Sequence, residues 1–263
     1  MKLYFVKYEG AGNDFILVDN RSRIVNHEQS RLISTLCNRR FGIGADGMLF
    51  LQNKKGFDFE MVYYNADGKP SSMCGNGGRC IVAFAKKLRV IDRQANFLAV
   101  DGPHFATISE EGNWVNLQMT NVYDIQADGQ ALVLNTGSPH YVVDATDIEN
   151  MDVCAAGRVI RYNSKYAEKG INVNFVEDRG GYYFIRTYER GVEEETYACG
   201  TGVTAVALAM AKKNNLTGLM NTAVHTLGGK LNVHFEYDGS IFTNIFLEGP
   251  ATFVYKGVID ILR

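Results

Sequence analysis

TYACGTGVTAVALA (196–209) sets a cysteine before a Gly-Thr-Gly turn and then runs apolar. SSMCGNGGRCIVAFA (71–85) follows the same plan around Cys74. Both read as the head of a buried helix, because the run after the glycines is apolar nearly all round. The two cysteines stand 199 − 74 = 125 residues apart. The same offset sets GNDFILVD (12–19) over GSPHYVVD (137–144), and FDFEMVYYNADG (57–68) over YYFIRTYERGVE (182–193). Further on the offset drifts to 128, where WVNLQM (114–119) lies over FTNIFL (242–247) and Asn116 over Asn244. Separate blocks at one constant offset mark a duplication, and the period is far too long for a solenoid.

Working outward, KLYFVKYEG and DFILVDN read as strands around a Gly-Ala-Gly turn, and residues 27–39 as a helix capped by Asn26. GMLFLQN and FDFEMVYYN are strands before a buried helix over 76–88. NFLAVDG, FATISEEG and NWVNLQM are short strands between turns. The second half repeats the order: ALVLNTG, HYVVDA, a short helix near 151–161, GINVNFVED, GYYFIRTYE, a buried helix over 200–213, then TAVHTL, GKLNVHFEYDG and SIFTNIFLEGPATFVYKG. Strands around one apolar helix per half predict an α+β fold of two pseudo-symmetric domains, each a set of β-strands wrapped around a central helix. The domains are residues 1–119, with 251–263 packing back on them, and residues 120–250.

The chain has 263 residues, 46% hydrophobic and 21% charged, enough for a substantial core and inconsistent with disorder. The net charge of −2 supplies no basic excess for nucleic acid or an anionic membrane surface. No window approaches the roughly 18 apolar residues of a membrane helix, and the N-terminal MKLYFVKYEGAGND has no signal-peptide pattern. Five cysteines (37, 74, 80, 154 and 199) without a signal predict thiols in a reducing, cytoplasmic compartment. His27, His104, His140, His225 and His234 lack metal-ligand spacing and no C-x-x-C occurs, so no metal site is expected.

A thiol at a helix N-terminus meets the positive end of the helix dipole and backbone N–H groups outside the helical ladder, and both favour thiolate. Glycines bare those N–H groups to an anion such as a carboxylate. A lone cysteine before a glycine turn is ordinarily structural. Cys80 inside the apolar run, and Cys37 and Cys154 in helix-like stretches, are read as packing. Cys74 and Cys199 differ because both halves keep them at one turn position. Two such thiols suit proton removal next to a carboxylate and its return on the opposite face, with one starting as thiolate and the other as thiol. Backbone N–H groups at the helix heads would hold the carboxylate through the charged intermediate. That chemistry, a racemase or epimerase acting α to a carboxylate, calls for no metal and no other cofactor.

GAGNDF, GIGADG, NADGKPSSMCGNGGRC, GSPH, NVNFV and YERGVEEETYACGTG, in this order and followed by EGPATFVYKG, resemble the diaminopimelate epimerase family. The resemblance implies conversion of LL-diaminopimelate to the meso form in lysine and cell-wall precursor synthesis, with the active site in the cleft between two pseudo-symmetric domains. It makes Cys74 and Cys199 the acid/base thiols. Gly75, Asn76, Gly200 and Thr201 would hold the α-carboxylate and amino group. Asn13, Asn65, Asn172 and Arg190 would recognise the distal end of the substrate, where Arg190 offers a bidentate fork to a carboxylate. His140 and Glu189 would assist the thiols, Glu189 also lying in the substrate-binding set. Gly47 stands where some members carry glutamine, and Ser138 where many carry asparagine. The resemblance also implies a small-molecule partner and a homodimer. Two alternatives stay open at this point: a two-thiol racemase of proline, hydroxyproline, lysine or histidine, and a non-catalytic carboxylate binder switched by a disulfide.

Overall fold

The computed structural model describes residues 1–26, 29–71 and 73–261. The chain divides into two compact units, Met1–Leu117 with the stretch from Gly249 onward, and Gln118–Glu248. The first contains β1 (Lys2–Gly10), β2 (Asn13–Asp19), α1 (Ser30–Cys37), β3 (Gly47–Gln52), β4 (Phe59–Asn65), α2 (Gly75–Lys87), β5 (Gln94–Ala99), β6 (Gly102–Ile108) and β7 (Trp114–Gln118). The second contains β8 (Ile125–Asp128), β9 (Ala131–Asn135), β10 (Pro139–Asp144), α3 (Val153–Arg161), β11 (Asn172–Asp178), β12 (Tyr183–Glu189), β13 (Glu194–Thr196), α4 (Gly200–Lys213), β14 (Gly218–Thr226), β15 (Gly229–Tyr237) and β16 (Phe242–Pro250). A last strand, β17 (Thr252–Asp260), pairs with β1 of the first unit.

The duplication is written in the strand pairings. From β1 to β7 successive partners run antiparallel, parallel, antiparallel, parallel, antiparallel, antiparallel. From β9 through β10, β11, β12, β14 and β15 to β16 the pattern is the same. The antiparallel β17–β1 pair corresponds to β8–β9. The β12–β13 pair corresponds to an isolated bridge between Tyr64 and Pro70.

Each unit is built on its central helix. α2 is buried from Gly75 to Ala85 and packs on β1, β2, β3 and β6. α4 is buried at Gly200 and from Gly202 to Ala211, and packs on β9, β10, β11, β12, β14 and β15. A helix that is apolar all round is stable only when enclosed, and each Val, Ile, Leu or Phe buried in it contributes about 1.5–3 kcal/mol. Both helices end alike. Lys86 and Lys87, and Lys212 and Lys213, meet the negative end of the dipole. Arg89 and Asn215 then take left-handed φ values of 57° and 52°. The amides of Val90 and Leu216 reach back to the carbonyls of Ala85 and Ala211, closing a Schellman motif in each unit. A second, amphipathic helix covers the outside: α1 buries Ile33, Leu36 and Cys37 beside Ile16, Val18, Met48 and Phe50, and α3 lies against β11 and β12.

Some details depart from the sequence reading. α1 begins at Ser30 with Gln29 at its N-cap, not at Asn26; residues 27 and 28 lie outside the described residues. It ends early because Asn38 turns extended and its side-chain oxygen accepts from the amides of Arg40 and Phe41. The run SIFTNIFLEGPATFVYKG is two strands, divided at Ala251 after Pro250, which has no N–H to continue a ladder. Two short polar strands, β8 (IQAD) and β13 (EET), have no counterpart in the sequence reading.

Candidate active site

All five cysteines are thiols. Cys37 and Cys80 are buried in the core, as expected of packing residues. Burial raises both, Cys37 up to about 12. Cys154 corrects the packing reading: it is half-buried and its thiol donates to Glu194 Oε2 at 3.1 Å, a contact that raises its pKa.

Cys74 and Cys199 are the N-caps of α2 and α4. Their backbones nearly coincide, with φ, ψ of −110°, 122° and −111°, 111°. Neither side chain caps its own helix. The first helical bonds run from Gly78 N to Cys74 O at 2.7 Å and from Val203 N to Cys199 O at 2.9 Å. The amides of Gly75, Asn76 and Gly77, and of Gly200, Thr201 and Gly202, therefore precede the helical ladder. Such a helix head is suited to an anion.

At the α2 head the polar side chains form one directional chain. The Arg79 guanidinium, 0% exposed, donates to Asn76 Oδ1 at 2.9 Å and to the carbonyls of Gly75 and Pro250 at 3.3 Å. Asn76 Nδ2 donates to Asn13 Oδ1 at 3.1 Å, and Asn13 Nδ2 to Asp46 Oδ2 at 2.5 Å. An Arg at one end can only donate and a carboxylate at the other can only accept, so both amides are held in one orientation. Arg39 binds Asp46 and Asp14 at 2.8 and 2.6 Å, and Lys7 pairs with Asp14 at 2.8 Å. Burial works against the Asp14 carboxylate, but Arg39 and Lys7 hold it down to about 2. Arg79 forms no ion pair with a carboxylate among the described residues. Burial lowers its pKa, while Cys80, Cys74 and Glu9 favour its charge. Asn65 stands at the end of β4, where its backbone closes the turn to Lys69 and the next amide, Ala66, donates to Asp46 O.

At the α4 head His140, on β10, is buried. Its Nε2 lies 2.9 Å from Thr201 Oγ1, which lies 3.4 Å from Cys199 Sγ. Burial, with the charge of Arg190 nearby, pushes His140 down to about 3, so the ring is neutral at working pH. His140 thus reaches Cys199 through Thr201. Asn172 donates to Ser138 Oγ at 2.9 Å and to Pro139 O at 3.1 Å, and accepts from Arg190 N at 2.8 Å. Both of its amide hydrogens are spent on the protein, so a ligand can engage only the remaining oxygen lone pair. Arg190 Nη2 donates to the same Ser138 hydroxyl at 3.3 Å and Nη1 to Lys169 O at 3.0 Å. Ser138 thereby gathers Asn172 and Arg190. Gly170 is kept bare by the same group: a Cβ there would lie 2.5 Å from Arg190 Cδ. Glu189 Oε2 accepts from Thr196 Oγ1 at 3.0 Å. At Gly47 a Cβ would fall 2.5 Å from the Tyr63 ring, so tyrosine fills the space a longer residue would use.

Sequence reasoning missed Arg79, Asp46, Asn174 and Thr187. The signal for Arg79 was present, a lone charge inside an apolar helix. Asn174 was hidden two residues beyond Asn172 in a strand buried on both faces. Among the described residues no group of three or more His, Cys, Asp or Glu side chains could hold a metal ion.

The architecture defines a class: duplicated α+β proteins in which strands enclose one helix per repeat. Solved structures share it over nearly the whole chain. A Bacillus anthracis phenazine biosynthesis protein of the PhzF family matches with a TM-score of 0.76 at 13% identity, covering 99% of this chain and all of that one. A probable proline racemase from Agrobacterium radiobacter matches with a TM-score of 0.71 at 13% identity, covering 99% of this chain and 93% of that one. Within that class the chain belongs to the diaminopimelate epimerase family, whose sequence model matches residues 5–125 and 132–254. The diaminopimelate epimerase of Flavobacterium psychrophilum is 53% identical over 98% of this chain and all of its own length. That of Chlorobaculum tepidum is 41% identical over 96% and 99%.

Proposed function

We propose that this chain is an isomerase that epimerises LL-2,6-diaminopimelate to meso-diaminopimelate without a cofactor, in lysine and peptidoglycan precursor synthesis. The observation that carries the reading is the pair of cysteine N-caps, alike in backbone geometry and each followed by amides outside the helical ladder. Cys74 and Cys199 serve opposite faces of one Cα. The thiolate takes the Cα proton, leaving a carbanion whose charge spreads into the α-carboxylate, and the other thiol returns a proton to the opposite face. Amides of Gly75, Asn76, Gly200 and Thr201 hold that carboxylate as its charge grows. His140 supports Cys199 through Thr201, and Glu189 assists as the second polar partner. Asn13, Asn65, Asn172, Glu189 and Arg190 recognise the substrate. The Arg190 fork, which has no carboxylate partner within ion-pair distance among the described residues, suits the distal carboxylate. A single amino acid such as proline would leave that cation unmatched, which disfavours the racemase alternative.

The test is deuterium incorporation at Cα in deuterated water under reducing conditions, with LL-diaminopimelate, proline, hydroxyproline, lysine and histidine in separate arms. Exchange with diaminopimelate and little with the others is expected. Cys74→Ala and Cys199→Ala should each lower epimerisation at least about a hundredfold, the scale of a lost acid/base group. Exchange with proline alone, or none with any substrate, would overturn the reading.

We also propose a cytoplasmic homodimer. Supporting it, β1 and β17 expose Tyr4, Phe253, Val254, Tyr255 and Val258 on neighbouring strands of one sheet. Light scattering should give twice the 29.2 kDa chain mass, and Val258→Lys with Tyr4→Lys should give the monomer. A wild-type monomer at micromolar concentration would contradict this.

A further inference from the structure

Behind His140 lies a buried chain of donors with one direction. Thr187 Oγ1 donates to Asn174 Oδ1 at 3.0 Å. Asn174 Nδ2 lies 3.2 Å from the carbonyl oxygen of Tyr141 and 3.0 Å from His140 Nδ1. Asn174 and His140 are both 0% exposed. A backbone carbonyl can only accept, so the amide nitrogen must face Tyr141 O, and the flipped amide is excluded. That nitrogen carries hydrogens, so His140 Nδ1 must offer its lone pair. The ring proton of the neutral imidazole then sits on Nε2 and is given to Thr201 Oγ1. Thr201 accepts there, and its own proton points to its other contact, Cys199 Sγ. The sulfur is left as acceptor, the role that favours thiolate. Space for the arrangement comes from Gly202, where a Cβ would lie 2.4 Å from Asn174 Oδ1.

We propose that Asn174, oriented by Thr187 and Tyr141 O, is a positioning residue that fixes His140 in its Nε2–H tautomer and so turns the Thr201 hydroxyl toward Cys199, making Cys199 the thiol that enters as base. This rests on the reading of Cys199 as an acid/base group. Arg190 is the charged group that acts on the ring, and it favours the neutral imidazole in either tautomer.

Two measurements test it without turnover. In ¹⁵N-labelled wild-type protein, long-range ¹H–¹⁵N correlation should show His140 protonated at Nε2 and bare at Nδ1; a proton on Nδ1, or on both nitrogens at pH 7, overturns the proposal. The second is the pH dependence of iodoacetamide alkylation, followed peptide by peptide. Asn174→Asp cannot donate to Nδ1 and draws the proton there, and Thr201→Val removes the hydroxyl alone. Each should raise the alkylation midpoint of Cys199 by about one pH unit, tenfold in thiolate at fixed pH, while Cys74 stays put. An unmoved Cys199, or equal shifts at both cysteines, overturns it. If Asn174→Asp fails to fold, Thr201→Val and the wild-type tautomer decide. Should the expected tautomer and shifts appear in a protein without epimerase activity, the positioning role stands and the proposed function fails.

Discussion

His140 titrates far below its ordinary value, and the consequence for stability can be signed. Its pKa falls from 6.5 to about 3 on folding, through burial first and Arg190 second. Between those values the unfolded chain binds a proton that the folded chain does not. Stability from this group is therefore fully present above pH 6.5 and is lost as pH falls toward 3, by up to about 1.4 kcal/mol per pH unit. Urea unfolding at pH 7 and pH 5 should show the wild type losing about 2 kcal/mol more than His140→Gln, which lacks the ionisation. Equal losses in the two proteins would show that His140 titrates normally. At this scale the sequence was most informative about the cysteines. The turn residues around Cys74 and Cys199 carry their own structural consequence, a helix head with bared amides. It was least informative about buried polar partners. Asn174 and Arg79 are defined by what they touch across strands, and spacing along the chain does not encode that.

The central helices and their strands are where local chemistry and tertiary packing agree. Both helices were legible because an apolar run of that length has one stable home, inside a sheet. Strand breaks were less so, since Pro250 interrupts a ladder without interrupting the β-rich composition, and β8 is too short and polar to show an alternation. The glycines of the two turns divide by role. Gly202 has an ordinary helical position but no room, with Asn174 Oδ1 in the way of any Cβ. Gly202→Ala should therefore forgo the gain alanine gives in a helix and instead cost about 1–3 kcal/mol, with activity falling because Asn174 and His140 are displaced. Thermal unfolding and initial rates check this together. A stabilised, fully active Gly202→Ala protein would mean that the Asn174 contact is dispensable.

Across the whole molecule the duplication organises function as well as fold. The two units repeat the same pairing order, the same helix ending and the same cysteine cap, yet their polar surroundings have separated. Cys74 acts through its charge on the buried Arg79 guanidinium, and Cys199 meets a hydroxyl that a neutral imidazole contacts in turn. Two equivalent positions with unequal environments are what a reaction needs if one thiol starts charged and the other neutral. If, as proposed, each thiol serves its own face of the substrate carbon, the early-time isotope distribution shows it. LL-diaminopimelate is incubated in deuterated water and sampled below a tenth of full conversion. Deuterium is expected at the inverted Cα of the meso product and protium in the recovered LL substrate, because the thiol that takes the proton is not the one that delivers its replacement. Deuterium appearing equally in recovered substrate and product, or protium carried over into the product, would mean that a single base works both faces and would contradict it.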